Sequence, residues 1–404
     1  MKLQKRKPWS VEKKIKVCRL ATVPFFLVSQ LESQLEFLKN SGCLVVVITS
    51  AGPEIGKLNL GASLIYEPVE IKRNISPLKD IHTLLRLFLL FRRYKFDIVH
   101  STTPKAGLLA ALAAYLNSVP IRLHTWTGQQ WVTQSGVTRF LSRMADRTIG
   151  LLNTKCYADS QSQARFLVAQ EIIAGEKIDI INKGSLSGVD LTRFDKSRWS
   201  KQDKELLKNQ LGLKPDSLVI LFMGRVTIDK GIRELVSAFE ILLKEGYDVD
   251  LLIVGPSDEE CGGGKGATEL KDISKIDRIH RKGYTNCPEK YFALSDIFCL
   301  PSYREGFGTT VIEAAAMGIP TVGTRINGLI DAVEDGETGI LVPVRNHIAL
   351  ADALKNLLDS SSRLKNMGRS ALKRCQSLFD HNLVNRAVLK EYLELIDKKK
   401  RSQE

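Results

Sequence analysis

The chain has no apolar run long enough to cross a bilayer. The longest uncharged one, Ala106 to Leu116, falls well short of the roughly 20 residues that a spanning helix needs. The N-terminus, Met1-Lys2-Leu3-Gln4-Lys5-Arg6-Lys7, is basic, but Glu12 and the charges up to Arg19 interrupt the apolar residues after it, against a secretory signal. No cysteines are spaced C-x-x-C. Cys18, Cys43, Cys156, Cys261, Cys287, Cys299 and Cys375 are scattered without histidines at ligand spacing, which reads as reduced thiols of a cytoplasmic protein, most of them filling the core. There is no internal repeat and no long low-complexity segment. G-x-G-x-x-G is missing after the first predicted strand, which disfavours a dinucleotide-dependent oxidoreductase. The glycine-rich stretch Cys261 to Gly266 is no Walker loop, because Gly266 and Ala267 follow Lys265; we read it as mobile.

What is present is an α/β pattern. The 404 residues exceed one core and suit two domains. Strands are predicted at Ile15 to Ala21, Leu44 to Thr49, Asp97 to His100 and Ile178 to Ile181, with helices between them, as in a doubly wound sheet. A second series comprises Leu218 to Met223, Asp250 to Val254, Arg278 to Tyr284, Asp296 to Leu300, Pro320 to Thr324 and Gly339 to Val342. We divide the chain into a domain over 1–197, a polar hinge at 198–216 and a domain over 217–379. A helix comes next at about 380–397, and 398–404 form a charged tail.

Charge is unevenly placed. The formal charge is +14, and residues 1–198 carry all of it, with 29 Lys+Arg against 15 Asp+Glu. That asymmetry points to an anionic partner. A membrane surface or lipid diphosphate fits better than nucleic acid, for which no motif is present. On the predicted helix Pro77 to Lys95, an apolar face of Leu78, Ile81, Leu84, Leu85, Phe88 and Leu89 runs beside Arg86, Arg92, Arg93 and Lys95. It reads first as an ordinary packed helix, with interfacial docking as the alternative.

One stretch carries the chemistry: Pro301-Ser302-Tyr303-Arg304-Glu305-Gly306-Phe307-Gly308-Thr309-Thr310-Val311-Ile312-Glu313, continuing to Gly318. A buried strand, a glycine turn and a helix start aim backbone N–H groups around Thr309 to Ile312 at an anion. Glu305 lies before the helix and Glu313 about two turns inside it. A carboxylate beside a phosphate site must meet something else, such as hydroxyls, and phosphate with polyol means a nucleotide sugar. Arg225 and Lys230, five apart after a strand and flanked by Gly224 and Gly231, are placed to neutralise a departing diphosphate. The backbone of Phe307 and Gly308 would shape the sugar pocket. His100 and His124 both fall at carboxyl ends of strands, where open sheets bind ligands. Trp126, Gln129, Gln130 and Trp131 form a loop that either faces an acceptor or packs as a lid. Asp248-Val249-Asp250 spells D-x-D, but at the start of its strand, away from the ligand end.

Glu305 and Glu313, set in Leu300-Pro301-Ser302 … Glu305-Gly306-Phe307-Gly308 … Glu313-Ala314 … Met317-Gly318 … Pro320-Thr321-Val322, resemble the E-x7-E motif of retaining GT-B glycosyltransferases of family 4. The capsular-polysaccharide and lipid-linked-glycan subgroup is most alike, and the likeness runs from about Lys14 to Leu395. Gly188-Val189-Asp190 … Phe194 also matches. The resemblance implies two Rossmann-like domains with a cleft between them and transfer, with retention, of an N-acetylhexosamine from a UDP-sugar. The acceptor implied is a polyprenyl-diphosphate-linked saccharide at the cytoplasmic face of the membrane. It further implies that Glu305 holds sugar hydroxyls, that Glu313 holds the ribose, and that His124 stands over the donor sugar. The C-terminal helix is expected to pack on the first domain. Relatives usually carry Gly-Gly after the first strand; here Thr22-Val23-Pro24-Phe25-Phe26 stands instead. With Arg225 and Lys230 supplying positive charge, no cofactor and no divalent metal are expected. A non-lipid acceptor is the alternative.

Overall fold

Most strands end close to a glycine or proline that interrupts the apolar run, and thirteen short strands form among the described residues. The structure, a computed structural model, describes residues 14–257 and 276–402. The basic N-terminal run and the Cys261 to Gly266 stretch lie outside the described residues.

The first sheet comprises β1 (Lys16–Leu20), β2 (Leu44–Thr49), β3 (Leu64–Pro68), β4 (Ile98–Thr102), β5 (Ile121–Trp126), β6 (Lys155–Ala158) and β7 (Ile178–Asp179), in the order β3-β2-β1-β4-β5-β6-β7. The second comprises β8 (Leu218–Met223), β9 (Val249–Val254), β10 (Ile279–Lys282), β11 (Ile297–Leu300), β12 (Thr321–Thr324) and β13 (Gly339–Val342), in the order β10-β9-β8-β11-β12-β13. Pairing is parallel, with Leu218 opposite Val249 and Ile297 opposite Ile220. Both are doubly wound sheets, and each reverses its winding once: between β1 and β4, and between β8 and β11. Ligands of such sheets bind beyond the carboxyl ends at that reversal.

By contacts the chain forms two units. One holds residues 1–125, 148–156 and 389–404; the other holds 126–147 and 157–388. In the first, Cys18, Leu20, Val46, Ile48, Leu87, Phe91 and Val99 form a core under the sheet. Residues of the C-terminal helix from Leu389 onward belong to this unit: Tyr392 Oη accepts from Arg19 Nη1 (3.1 Å) and meets His100 Nδ1 (2.7 Å), and Lys155 pairs with Glu391 at 2.7 Å. In the second unit β8, β9 and β11 are buried throughout, apart from partly exposed Leu218, as strands covered on both faces must be.

Three local expectations change. Pro24 begins a helix, Pro24–Asn40, because its fixed φ suits the first helical position; Phe25 and Phe26 therefore stand in a first turn rather than a loop. The polar stretch at 198–216 contains the helix Lys201–Leu211, started by a reciprocal Ser200–Asp203 capping box and stopped at Gly212. On the helix Pro77–Tyr94, Thr83, Leu87 and Phe91 face the core. That turns Leu78, Ile81, Leu85 and Leu89 outward, at 85%, 57%, 57% and 61% exposure. The helix is apolar on more than one side, and the sheet covers only one of them.

Candidate active site

The loops after β8 and β11 meet at the winding reversal of the second sheet. After β8, Ile228–Lys230 forms one 3-10 turn and Gly231, at φ 71°, starts the next helix. A Cβ on Gly231 would lie 2.0 Å from the carbonyl oxygen of Pro301, so only glycine lets the two loops approach this closely. Tyr303 N–H donates to Asp229 O (2.8 Å) and Arg304 Nη2 pairs with Asp229 Oδ2 (3.0 Å). Thr227 Oγ1 donates to Asp229 Oδ1 (2.5 Å). Burial opposes ionisation of Asp229, but Thr227, Arg304, Lys230 and Arg225 together hold its carboxyl below the usual range. Asp229 thus ties the cation-bearing loop to the glutamate-bearing loop.

Across this junction Lys230 Nζ meets Glu305 Oε1 at 2.5 Å, with both side chains largely buried. Ser302 Oγ donates to the same oxygen (2.7 Å) and fixes the carboxylate's orientation. Arg225 is exposed and makes no ion pair among the described residues. A buried cation aligned by a carboxylate, with a second, exposed cation on the same loop, suits an anion of more than one charge.

The turn after Glu305 is hemmed in. A Cβ on Gly306 would fall 2.5 Å from the Thr127 carbonyl, and one on Gly128 would fall 3.3 Å from Gly306 N. Phe307 is buried, edge-on to Phe379 at 5.1 Å. Gly308, at φ 91°, caps the helix Thr309–Ala316, and its carbonyl already accepts from Val311 N–H (2.9 Å). Thr309 and Thr310 are half-buried. Glu313 is the fifth residue of that helix, about one turn inside it rather than two, because the helix begins only at Thr309. Its charged neighbours are Arg193 and Glu289. Burial pushes the Glu313 carboxyl up to about 8, Arg193 pulling it down and Glu289 pushing it further up.

His124 lies in the first unit. It is buried, with Nδ1 2.9 Å from Ser101 Oγ and the ring edge against the helix backbone at Gly107. Burial lowers its pKa to about 3, so the imidazole is neutral at pH 7. His100 is buried too, its ring nitrogens 2.7 Å from Tyr392 Oη and from Thr125 Oγ1. The aromatics of the 126–131 loop are packed rather than presented: Trp126 and Trp131 donate to the two oxygens of buried Asp146, at 3.2 and 2.7 Å.

Asp248-Val249-Asp250 straddles the start of β9, at the amino end of the sheet. Asp250 is fully buried and accepts from Arg278 Nε (2.7 Å), the Lys214 N–H (3.1 Å) and Ser217, with His280 Nε2 3.0 Å away. Asp248 pairs with Arg278 at 2.9 Å. These carboxylates are consumed by the fold. Among the described residues, no three His, Cys, Asp or Glu side chains converge as a metal site.

Two family models match, one over each half of the chain: a glycosyl transferase 4-like domain over 28–183 and glycosyl transferases group 1 over 203–374. The chain is 29% identical over 356 residues to the capsular polysaccharide biosynthesis glycosyltransferase CapM of Staphylococcus aureus, covering 88% of this chain and 90% of that one. It is 26% identical over 354 residues to the UDP-Gal:alpha-D-GlcNAc-diphosphoundecaprenol alpha-1,3-galactosyltransferase of Escherichia coli, covering 87% and 89%. The crystal structure of a glycosyltransferase from Rickettsia africae ESF-5 superposes with a TM-score of 0.77 at 21% identity, over 95% of this chain and 99% of that one. The chain belongs to the family 4 glycosyltransferases of GT-B fold.

In this glycosyltransferase the sequence motif located the glutamate-bearing loop but not what holds it. Asp229 and Ser302 were unassigned from sequence, although Asp229 stands beside Lys230 and Ser302 three residues before Glu305. Gly128 was equally silent, because its role depends on a contact with Gly306, far away in the chain.

Proposed function

We propose that this glycosyltransferase moves an N-acetylhexosamine from a UDP-sugar, with retention, onto a polyprenyl-diphosphate-linked saccharide in cell-surface glycan synthesis, with no divalent metal. The observation that carries this reading is the Lys230–Glu305 ion pair at the winding reversal of the second sheet, with Arg225 exposed on the same loop. Lys230 and Arg225 take the diphosphate and offset the charge that grows as the donor bond breaks. Glu305, oriented by Ser302, accepts from sugar hydroxyls, and Glu313 accepts from the ribose. The neutral imidazole of His124 suits a hydrogen-bonding role in the transfer rather than that of an acid. A lipid-diphosphate acceptor is supported by the named substrate of the Escherichia coli relative and by the basic first half of the chain.

The acceptor's setting is inferred from the helix Pro77–Tyr94. Leu78, Ile81, Leu85 and Leu89 face outward beside exposed Arg86, Arg92 and Arg93, a pattern that suits the face of an anionic bilayer. No helix among the described residues is long and apolar enough to cross a membrane, so contact through this face would be peripheral.

A donor screen with radiolabelled nucleotide sugars and membrane extract, in the presence of chelator, tests the reading. UDP-N-acetylhexosamines run against UDP-galactose, the donor sugar of the Escherichia coli relative. Label is expected in an extended glycolipid, at a rate unchanged by the chelator. Label in water-soluble product alone would refute the lipid acceptor, and strict magnesium or manganese dependence would refute the metal-free mechanism. Binding to anionic vesicles at low salt that disappears when Leu78, Leu85 and Leu89 become serine would support the docking face; equal binding by wild type and variant would rule it out.

A further inference from the structure

Asp159 and Gln129 occupy the loops just past the carboxyl ends of neighbouring strands β6 and β5. Asp159 N–H donates to Trp126 O (3.1 Å) and to Gln163 Oε1 (3.0 Å), and Asp159 O accepts from Ser185 N–H (2.7 Å). Because Gln163 Oε1 accepts, its Nε2 is free to donate, and it donates to Gln129 Oε1 (3.1 Å). That sequence of donors and acceptors fixes both amide orientations. Among the described residues it leaves Gln129 Nε2 with no acceptor and Asp159 Oδ1 with no donor, although the two residues are only 4% and 8% exposed. Buried polar groups are seldom left unmatched, since leaving them so is costly.

Both loops abut the glutamate-bearing turn. Thr127 and Gly128, just before Gln129, press on Gly306. Gly184, at φ 101°, would with a Cβ lie 2.6 Å from the Asp159 carbonyl and 3.2 Å from the Phe307 ring, so it is held between them. The two unmatched groups therefore sit on segments that touch the residues immediately after Glu305.

We infer that Gln129 Nε2 and the Asp159 carboxyl form a hydroxyl-recognising pair that takes a sugar hydroxyl, of the donor hexose or of the acceptor saccharide, beside Glu305. The inference rests on the sugar-transfer reading above and extends it to two residues outside the E-x7-E motif. One group donates and the other offers an oxygen, which matches the dual character of an alcohol. Burial pushes the Asp159 carboxyl up to about 8. Near neutral pH it holds a proton and can donate as well as accept; above that value it can only accept.

Asp159→Asn and Gln129→Met keep shape and change only the polar groups. Calorimetry first measures UDP alone, which carries no hexose, and both variants should bind it as wild type does. Calorimetry with the UDP-sugar that wild type turns over, and acceptor KM with membrane extract, then separate the sources. A loss of at least about tenfold in UDP-sugar affinity assigns the pair to the donor hexose. A similar rise in acceptor KM, with donor affinity unchanged, assigns it to the acceptor. The affected constant should titrate near pH 8 in wild type and lose that step in Asp159→Asn. If neither constant moves in folded variants, the inference is overturned. If wild type fails to bind UDP at all, the donor reading itself fails and takes this inference with it.

Discussion

The two ends of the second sheet use the same residue types to opposite purposes. At the amino end, Asp248 and Asp250 meet Arg278, His280, Ser217 and the Lys214 backbone, and the oxygens of Asp250 are matched several times over. At the carboxyl end, Glu305 meets one lysine and one serine, while Arg225 makes no ion pair among the described residues. Carboxylates and cations alone do not mark a site; unspent bonding capacity does. The amino end is closed by its own network, whereas the carboxyl end still has capacity for a ligand.

The largest effect that sharpens this contrast should come from the carboxyl end. Lys230→Ala and Glu305→Ala are each expected to lower turnover roughly 100- to 1,000-fold, with the cooperative melting transition retained. Steady-state kinetics beside thermal melts checks this, and near-normal turnover in either variant would remove its assigned role.

At the other end the expected loss is in stability. Asp250→Ala leaves Arg278 with much of its charge uncompensated and should cost about 3–5 kcal/mol in denaturant unfolding. Turnover per folded molecule should not change; a loss of rate at full folding would break the comparison. The pH dependence has a definite sign. Burial works against ionisation of Asp250, yet hydrogen bonds from His280, Arg278, Ser217 and Lys214 N–H hold its carboxyl well below the usual range. The stabilisation is complete above the unfolded-state pKa of about 3.9 and is lost as pH falls through the folded value. The gap between wild type and variant should therefore narrow only in strong acid.

Glu313 titrates the other way. Its folded pKa is raised to about 8, chiefly by burial, so the folded state holds a proton that the unfolded state has released. Stability should fall as pH rises from about 4.3, the ordinary glutamate value, toward 8. Glu313→Gln is expected to flatten that slope and raise the melting temperature at pH 8 by a few degrees, while weakening UDP binding. A melting temperature that stays equal to wild type at both pH 5 and pH 8 would show that its burial is not felt. The smallest effect belongs to Asp248, whose side chain is 62% exposed. Asp248→Asn should shift stability by no more than about 1 kcal/mol.

Much of this was legible in the sequence, for reasons tied to particular residues. Leu44 to Thr49, Leu218 to Met223 and Gly339 to Val342 were read to the residue, because each apolar run is bounded by turn residues or by a strongly polar stretch. The D-x-D was placed at the wrong end of the sheet for a ligand by its position at the start of a strand, and there it lies. The tryptophans at 126 and 131 were ambiguous, since only Asp146, on a later helix, shows that they turn inward. The helix Pro77–Tyr94 misled because a residue pattern apolar on several sides does not say which side the sheet will take. Gln129 and Asp159 were invisible as a pair, because Gln163 joins them and no spacing announces such a link.

The absent side chain at residue 231 has a further consequence. With the Pro301 carbonyl where a methyl would go, the loop carrying the lysine and the loop carrying the glutamate cannot slide past one another without parting. Lys230 and Glu305, to which we assign the phosphate and the hexose, thus arrive as a single prefabricated clamp, set before any ligand enters. Attempts to retune which sugar is accepted should leave that clamp alone and work on the walls around it.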